Sequence, residues 1–143
     1  MTIRAYIDGA SRGNPGESGI GIILKDGNGH ELTSAAGYIG TATNNIAEYT
    51  ALIECLRKAK TLNCTKLVVH SDSELLVRQM QGIYRVKNER LKKFFGRVRR
   101  MLDRTPFGFE IHHVPREENR EADTLANVGI DRKSRLRWDH RRV

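Results

Sequence analysis

The chain has 143 residues, 38% of them hydrophobic, a size that fits one domain with its own core. Its 25 basic residues exceed its 17 acidic ones, and the net charge of +8 favours a polyanionic partner. No apolar run reaches the roughly 20 residues that cross a membrane, MTIRAYID lacks a signal-peptide pattern, and two cysteines cannot build a disulfide framework; we expect a cytoplasmic protein without a membrane partner.

Hydrophobic periodicity predicts the order of the elements. The alternation in TIRAYI indicates a first strand, and GIGIILKD and ELTSAAGYI flank GNG as a hairpin. Apolar residues at helical spacing predict a helix after TATNN. TKLVVHSD is typical of a buried strand, and Ser73 and Gly82 fit the beginning and the end of the next helix. A helix over about residues 89–103, the strand FGFEIHHV and the helix NREADTLANVG complete the chain.

This order, βββαβααβα, predicts an α/β or α+β domain over residues 1–131, in which hairpin-linked strands join later parallel ones. Residues 132–143 hold six basic residues and one aspartate, so we interpret them as a basic C-terminal tail, for which disorder is an open alternative. Residues 85–104 carry nine basic residues against two acidic ones, along a predicted helix that also has an apolar stripe. Both segments are therefore candidates for contact with a polyanion.

The glycine-rich stretch DGASRGNPGESG follows the first strand and suggests backbone that approaches phosphate. Glu17 stands where a Walker loop needs lysine, and the fingerprint G-x-G-x-x-G is absent from the stretch. Ala10 and Arg12 occupy positions where a calcium loop needs oxygen ligands. A hairpin turn with an incidental Asp8 remains the alternative for this stretch alone.

Four acidic residues fall at related places in the predicted fold. Asp8 and Asp72 end the first and the fourth strand, whereas Glu48 opens the first helix. Asp123 lies in the last helix. Ligands of open α/β sheets gather at the carboxyl ends of strands, and two Mg²⁺ ions would neutralise four carboxylates there and assist an in-line phosphoryl displacement. Taken singly, each acid is more often a turn or helix-surface residue.

Together, DGASRGNPGESG, TNNIAEY, SDSELLVRQM and NREADTLA resemble type 1 ribonuclease H, in order and over residues 1 to about 130. The resemblance implies a ribonuclease H-like fold, with a five-stranded mixed sheet flanked by helices. It implies an endoribonuclease that hydrolyses the RNA strand of RNA/DNA hybrids and leaves 5′-phosphate and 3′-hydroxyl ends. It also implies two Mg²⁺ ions, with Mn²⁺ as an alternative, and four metal ligands that are also the catalytic acids: Asp8, Glu48, Asp72 and Asp123.

The resemblance further implies contacts with the nucleic acid near the cut. Asn14, Asn44 and Asn45 match such positions, and a side-chain amide suits the RNA 2′-hydroxyl. Thr43 matches a position that binds a phosphate of the DNA strand. The pair of asparagines also fits a helix cap, and the two roles are compatible. The remaining candidates for substrate binding are Gly9, Gln79, Lys92 and Lys93.

Two departures from better-known family members affect the expected mechanism. Many members carry a basic, tryptophan-containing handle after the second helix, whereas here GIYRVKNERLKKFF leads directly into the next helix, as in the handle-less bacterial and archaeal branch. Members also carry a mobile histidine shortly before the last aspartate. Arg116 lies in the predicted loop there and can bind phosphate, so we favour it, with His113 as the alternative.

Three functional hypotheses follow. The first is a metal-dependent ribonuclease that acts on RNA/DNA hybrids as a monomer. The second is a non-catalytic module that binds RNA or hybrid, which would normally lack one of the four acids. The third is a nuclease that acts on double-stranded RNA, because a shared fold does not decide the substrate. The asparagines favour an RNA strand in the active site and leave its partner strand open.

Overall fold

The computed structural model describes residues 1–133, which form one mixed sheet with helices on both faces. The elements, in chain order, are β1 (Thr2–Gly13), β2 (Gly16–Lys25), β3 (Glu31–Ala42), α1 (Asn44–Thr61), β4 (Lys66–Ser71), α2 (Glu74–Met80), α3 (Glu89–Asp103), β5 (Gly108–His113), a 3₁₀ turn (Arg116–Glu118) and α4 (Arg120–Arg132). The predicted order is confirmed. The predicted tail lies, from residue 134 onward, outside the described residues. Within residues 1–133, every helix is too short or too polar to cross a bilayer.

The sheet has the strand order β3-β2-β1-β4-β5. β1, β2 and β3 pair antiparallel, whereas β4 and β5 run parallel to β1. This is the predicted five-stranded mixed sheet. The register places Ile7 beside Ser71 and Ser71 beside His113. Asp8 follows Ile7 in β1, and Asp72 follows Ser71 at the end of β4. The two aspartates therefore lie at the same edge of the sheet.

Alternation along β1 decides which helix covers which face. Ile3, Ala5 and Ile7 are buried in the core that α1 helps to form, and α2 and α3 complete that side. α4 packs on the opposite face, across β2, β3 and β1. The helices that carry Glu48 and Asp123 thus approach the edge of the sheet from different sides.

Two glycines allow these helices to approach the strands closely. A Cβ atom at Gly9 would lie 2.3 Å from the carbonyl carbon of Ala47 in α1. A Cβ atom at Gly21 would lie 2.1 Å from the carbonyl oxygen of Ala122 in α4. Only glycine fits at such distances, so backbone contact fixes both helices on the sheet.

The helix ends follow the predicted signals with one exception. The Ser73 hydroxyl accepts a hydrogen bond from the Leu76 amide, and Gly82 adopts a φ of +80° just after α2 ends. The sequence pattern predicts that the last helix ends at Gly129, but α4 continues to Arg132. Gly129 is needed for packing instead, since a Cβ atom there would lie 2.4 Å from the carbonyl oxygen of Gly37.

Candidate active site

Three of the four predicted acids meet at the carboxyl end of the parallel strands. One carboxylate oxygen from each of Asp8, Glu48 and Asp72 lies within 4.8 Å of the others. Asp8 and Glu48 are only 4% and 8% exposed, whereas Asp72 is half-buried. The acids meet as predicted, but Asp8 does not end its strand: β1 continues to Gly13 because it pairs with β2 as a long hairpin, and Asp8 follows Ile7, the last residue of β1 that pairs with β4.

Glu48 is held in place by the backbone of β1. Its Oε1 atom accepts a hydrogen bond of 2.7 Å from the amide of Gly9, the glycine that lets α1 approach. Burial raises the pKa of Glu48 well above its usual value, and the charges of Asp8 and Asp72 raise it further. The Gly9 amide and the positive charge of Arg116 act in the opposite direction. The Gly9 amide thus holds an acid of the cluster, and a contact of Gly9 with substrate stays a prediction.

The pKa of Asp8 is also strongly raised. Burial, the charge of Asp72 and a hydrogen bond with Asp123 raise the pKa of Asp8 from 3.8 to about 8. The hydrogen bond with Asp123 brings the fourth predicted acid to the cluster from α4, where it is half-buried. The other three predicted acids are therefore all neighbours of Asp8.

This donor set fits hard divalent cations. Carboxylate oxygens are the ligands that Mg²⁺ and Mn²⁺ prefer, and Mg²⁺ usually takes only a few protein ligands and leaves room for water or phosphate. The raised pKa values show that the buried charges repel one another without a cation. A positive ion would relieve this repulsion.

Arg116 and His113 lie in different environments. Arg116 begins the 3₁₀ turn before α4, is exposed, and lines a concavity of about 480 Å³ together with Asp123. His113 is the last residue of β5, as the strand pattern predicts, and is also exposed. The electrostatic effect of Arg116 on Glu48 places its guanidinium near the cluster.

Predicted substrate residues from the β1–β2 turn and from the start of α1 line a second concavity. Thr43 caps α1 by accepting a hydrogen bond from the Ile46 amide at 3.2 Å. The Oδ1 atom of Asn14 accepts a hydrogen bond of 3.1 Å from the backbone amide of Asn44. Asn14, Thr43 and Asn45 line a concavity of about 350 Å³, while Asn44 is exposed at its rim. The predicted cap by the asparagine pair is therefore wrong: Thr43 is the cap, and Asn44 and Asn45 are the first two residues of α1.

The last three candidates differ in exposure. Gln79 is only 4% exposed, and its Oε1 atom accepts a hydrogen bond of 2.6 Å from the hydroxyl of Tyr49. A direct contact between Gln79 and substrate remains a prediction that this burial does not favour. Lys92 and Lys93 are exposed on α3, where Lys92 forms a salt bridge of 3.0 Å with Glu89.

The structure adds residues that the sequence reasoning missed. Asn88 caps α3 by accepting hydrogen bonds from two backbone amides, and it lines the same concavity as Asn14, next to Arg90. Its position before a helical pattern was the available signal. Asn119 is buried at the base of α4 and donates from Nδ2 to the carbonyl oxygen of Ile7 at 2.8 Å. Its position within the charged run REENR gave no signal in the sequence that this side chain is buried.

The absence of a handle follows from the connection between α2 and α3. Residues 81–88 link the two helices without a helix of their own. The basic residues of this part of the chain therefore lie on the short link and on α3 itself. This agrees with the prediction made from GIYRVKNERLKKFF.

Comparisons with known proteins agree with this geometry. The family model described as reverse transcriptase-like matches residues 6–129. The chain is 39% identical over 132 residues to ribonuclease HI of Halobacterium salinarum, covering 90% of this chain and 64% of that relative. It is 36% identical over 140 residues to a ribonuclease H of Coxiella burnetii, covering 88% of each. The chain thus spans less than two thirds of the length of the Halobacterium relative.

A solved structure supports the same assignment of fold. The crystal structure of LC11-RNase H1 in complex with an RNA/DNA hybrid superimposes with a TM-score of 0.88 and 41% identity. The match covers 92% of this chain and 98% of that one. At this identity, the similarity extends beyond the shape of the fold to the sequence.

Proposed function

This chain belongs to the reverse transcriptase-like family and, within it, to the ribonucleases H, and from that premise we propose that it hydrolyses the RNA strand of RNA/DNA hybrids. Cleavage is endonucleolytic and leaves 5′-phosphate and 3′-hydroxyl ends. The observation that carries the proposal is the cluster of Asp8, Glu48 and Asp72 at the carboxyl end of the parallel strands, with Asp123 beside Asp8. A surface module would not need buried carboxylates that repel each other.

The acids act by holding divalent cations, for which we propose two Mg²⁺ ions, with Mn²⁺ as a substitute. When bound, such ions lower the pKa of an attacking water and neutralise charge on the scissile phosphate. Asp8, Glu48, Asp72 and Asp123 would hold these ions, with Asp8 next to both Asp72 and Asp123. The hydrogen bond from the Gly9 amide fixes the orientation of the Glu48 carboxylate.

Residues around the acids position the nucleic acid. Asn14 and Asn45 present amides that can both donate to and accept from an RNA 2′-hydroxyl, the group that distinguishes RNA from DNA. Thr43 lies in the same concavity, where its position suits a phosphate of the partner strand. Arg116 is exposed beside Asp123 and binds the scissile phosphate or the leaving oxygen.

One assay with three substrates tests the proposal. Labelled RNA/DNA hybrid, double-stranded RNA and double-stranded DNA of one sequence are incubated with the protein and Mg²⁺ or Mn²⁺. We expect internal cuts only in the RNA strand of the hybrid, with products that ligate or label as 5′-phosphates. Equal cleavage of the RNA duplex would replace hybrid specificity by a double-stranded RNA activity. Binding without cleavage in either metal would leave only the binding module.

A further inference from the structure

A wide groove lies between the C-terminal halves of α1 and α3, away from the acidic cluster. It encloses about 680 Å³, a volume within the range of roughly 300–1,000 Å³ for ligand sites. Leu56 and Met101 contribute its apolar lining. All of its charged lining residues are cations, and we call this surface the basic groove: Arg57, Lys60, Lys93, Arg97, Arg100 and Arg104.

The positive charges of the basic groove are poorly compensated within the protein. Among residues 1–133, only Arg57 of the six forms a salt bridge, at 3.3 Å from the buried Glu54. Burial lowers the pKa of Arg97, and the charges of Arg57 and Arg100 lower it further, against the effect of Glu54. Because the cations repel one another, a bound anion would stabilise the groove.

Helix dipoles explain only part of this arrangement. Lys60 and Arg100 lie in the last turns of α1 and α3, where cations are favourable. Arg57, Lys93 and Arg97 lie earlier in the two helices and still face the same groove. The helix dipoles therefore do not explain why these three side chains face the groove.

A glycine within α3 makes room for one of these cations. Gly96 lies in the middle of the helix, where glycine is less favourable than alanine. A Cβ atom there would lie 3.2 Å from Nη1 of Arg100. The missing side chain thus leaves space for the Arg100 guanidinium beside the groove.

The basic groove connects to the candidate substrate residues through two smaller concavities. The concavity that contains Thr43 shares Ile46 and Arg90 with the next one, of about 240 Å³. That one in turn shares Arg97 with the basic groove. Along α1, the 14 residues from Ile46 to Lys60 span about 21 Å at 1.5 Å per residue. A basic path therefore leads from the active site to the groove.

We propose that the basic groove binds the phosphodiester backbone of single-stranded nucleic acid that continues from the hybrid beyond the cleavage site. This proposal rests on the proposed function, because it takes the substrate to be an RNA/DNA hybrid. No aromatic side chain is among the described residues that line the groove, so the contact is with phosphates rather than with stacked bases.

A matched pair of triple variants tests this site. The groove variant carries Lys60→Gln, Arg100→Gln and Arg104→Gln, three exposed positions, and keeps Arg57 so that Glu54 retains its partner. The control variant carries Arg4→Gln, Lys66→Gln and Arg78→Gln, which lie outside the groove and outside residues 85–104 and 132–143 and remove the same net charge. Circular dichroism and thermal unfolding verify that both variants fold.

Binding is measured by fluorescence anisotropy in EDTA, so that no cleavage occurs. The probes are a blunt hybrid of about twelve base pairs and the same hybrid with a single-stranded DNA extension of about twelve nucleotides at either end. For the wild type we expect tighter binding and a steeper salt dependence with one of the extensions. The groove variant should lose this gain, with the slope of log K against log salt reduced by about 2, since each single-strand phosphate contributes about 0.7. Its affinity for the blunt hybrid should stay unchanged.

Two outcomes would overturn the proposal. One is a wild type that gains nothing from either extension, and the other is an equal loss in the groove and control variants. These results are independent of catalysis, because cleavage of the blunt hybrid by the wild type in Mg²⁺ tests the proposed function separately. If the protein cleaves the hybrid but binds no more tightly with an extension, the proposed function stands and the proposed groove site is wrong.

Discussion

Asn119 joins the last helix to the first strand by donating from Nδ2 to the carbonyl oxygen of Ile7 at 2.8 Å. Asn119 is 1% exposed, and its backbone carbonyl oxygen accepts a hydrogen bond of 3.1 Å from the backbone amide of Asp123. The acceptor, Ile7, directly precedes Asp8. One buried side chain therefore fixes the distance between the two acids that come from opposite ends of the described chain.

Replacing Asn119 by alanine should cost both stability and turnover. The Ile7 carbonyl would lose a buried hydrogen bond, for which we expect a loss of about 1–3 kcal/mol in the free energy of unfolding. A small displacement of Asp123 should lower kcat by about 100-fold, since misplacement near 1 Å has effects of that size. Urea unfolding and kcat well below the unfolding temperature measure the two effects. Asn28→Ala, in the exposed β2–β3 turn, is the control; lost stability with unchanged kcat would remove the positioning role.

Asp8→Asn should abolish cleavage without unfolding the protein. The substitution keeps the shape of the side chain but removes the charge at the centre of the acidic cluster. We expect a fall in kcat of more than about 10³-fold, as for other losses of transition-state stabilisation. Asp103→Asn, an exposed acid at the end of α3, provides the control and should retain activity. Turnover by purified Asp8→Asn near the wild-type rate would be incompatible with the metal-binding role.

The metal-free protein should lose stability as the pH rises. The pKa of Asp8 is raised from 3.8 to about 8 on folding, so between these values the folded state binds a proton that the unfolded chain has released. Unfolding then releases protons, and the free energy of unfolding falls with increasing pH. Thermal unfolding in EDTA from pH 5 to pH 8 should show this fall in the wild type and a smaller one in Asp8→Asn.

Millimolar Mg²⁺ should raise the wild-type midpoint most at pH 8, because the cation replaces the proton as the neutralising charge. The same Mg²⁺ concentration should shift Asp8→Asn less. If the unfolding midpoints of the wild type and of Asp8→Asn changed equally with pH and with Mg²⁺, the proposed repulsion among the acids would be wrong.

Arg116→Ala should slow turnover more than His113→Ala. Arg116 shares a concavity with Asp123 and acts electrostatically on Glu48, whereas His113 ends β5. We expect a loss of about 10- to 100-fold for Arg116→Ala and less than about twofold for His113→Ala, with partial activity in Arg116→Lys because lysine keeps the charge but not the planar fork. Single-turnover and steady-state rates separate chemistry from product release. A larger loss in His113→Ala reverses the assignment.

The sequence predicted that the acids cluster, from their places in the predicted fold and from the family resemblance. The neighbouring positions of β1 and β4, which bring Asp8 and Asp72 together, and the continuation of β1 beyond Asp8 to Gly13 depend on strand pairing that local patterns do not reveal. Gln79 shows where this reasoning stops. α2 has only seven residues, too few to indicate which face is buried, and the partner of Gln79 is Tyr49, 30 residues earlier.

The basic groove shows a second limit. The charge on α3 was visible as a run of lysine and arginine, but Arg57 and Lys60 belong to α1 and are separated from that run in sequence. Only the packing of one helix against the other places them on the same surface. Charge counted along the chain therefore identified the helix and not the groove.

The close contact between α4 and the sheet has a consequence for synthesis of the protein. The acids come from residues 8, 48, 72 and 123, and α4 rests on Gly21 through backbone contact. A nascent chain that has not yet released α4 from the ribosome has three acids, an uncovered face on β2 and no Asn119 bond to β1. Synthesis is vectorial, and the nuclease centre is therefore assembled last, after nearly all of the domain has emerged.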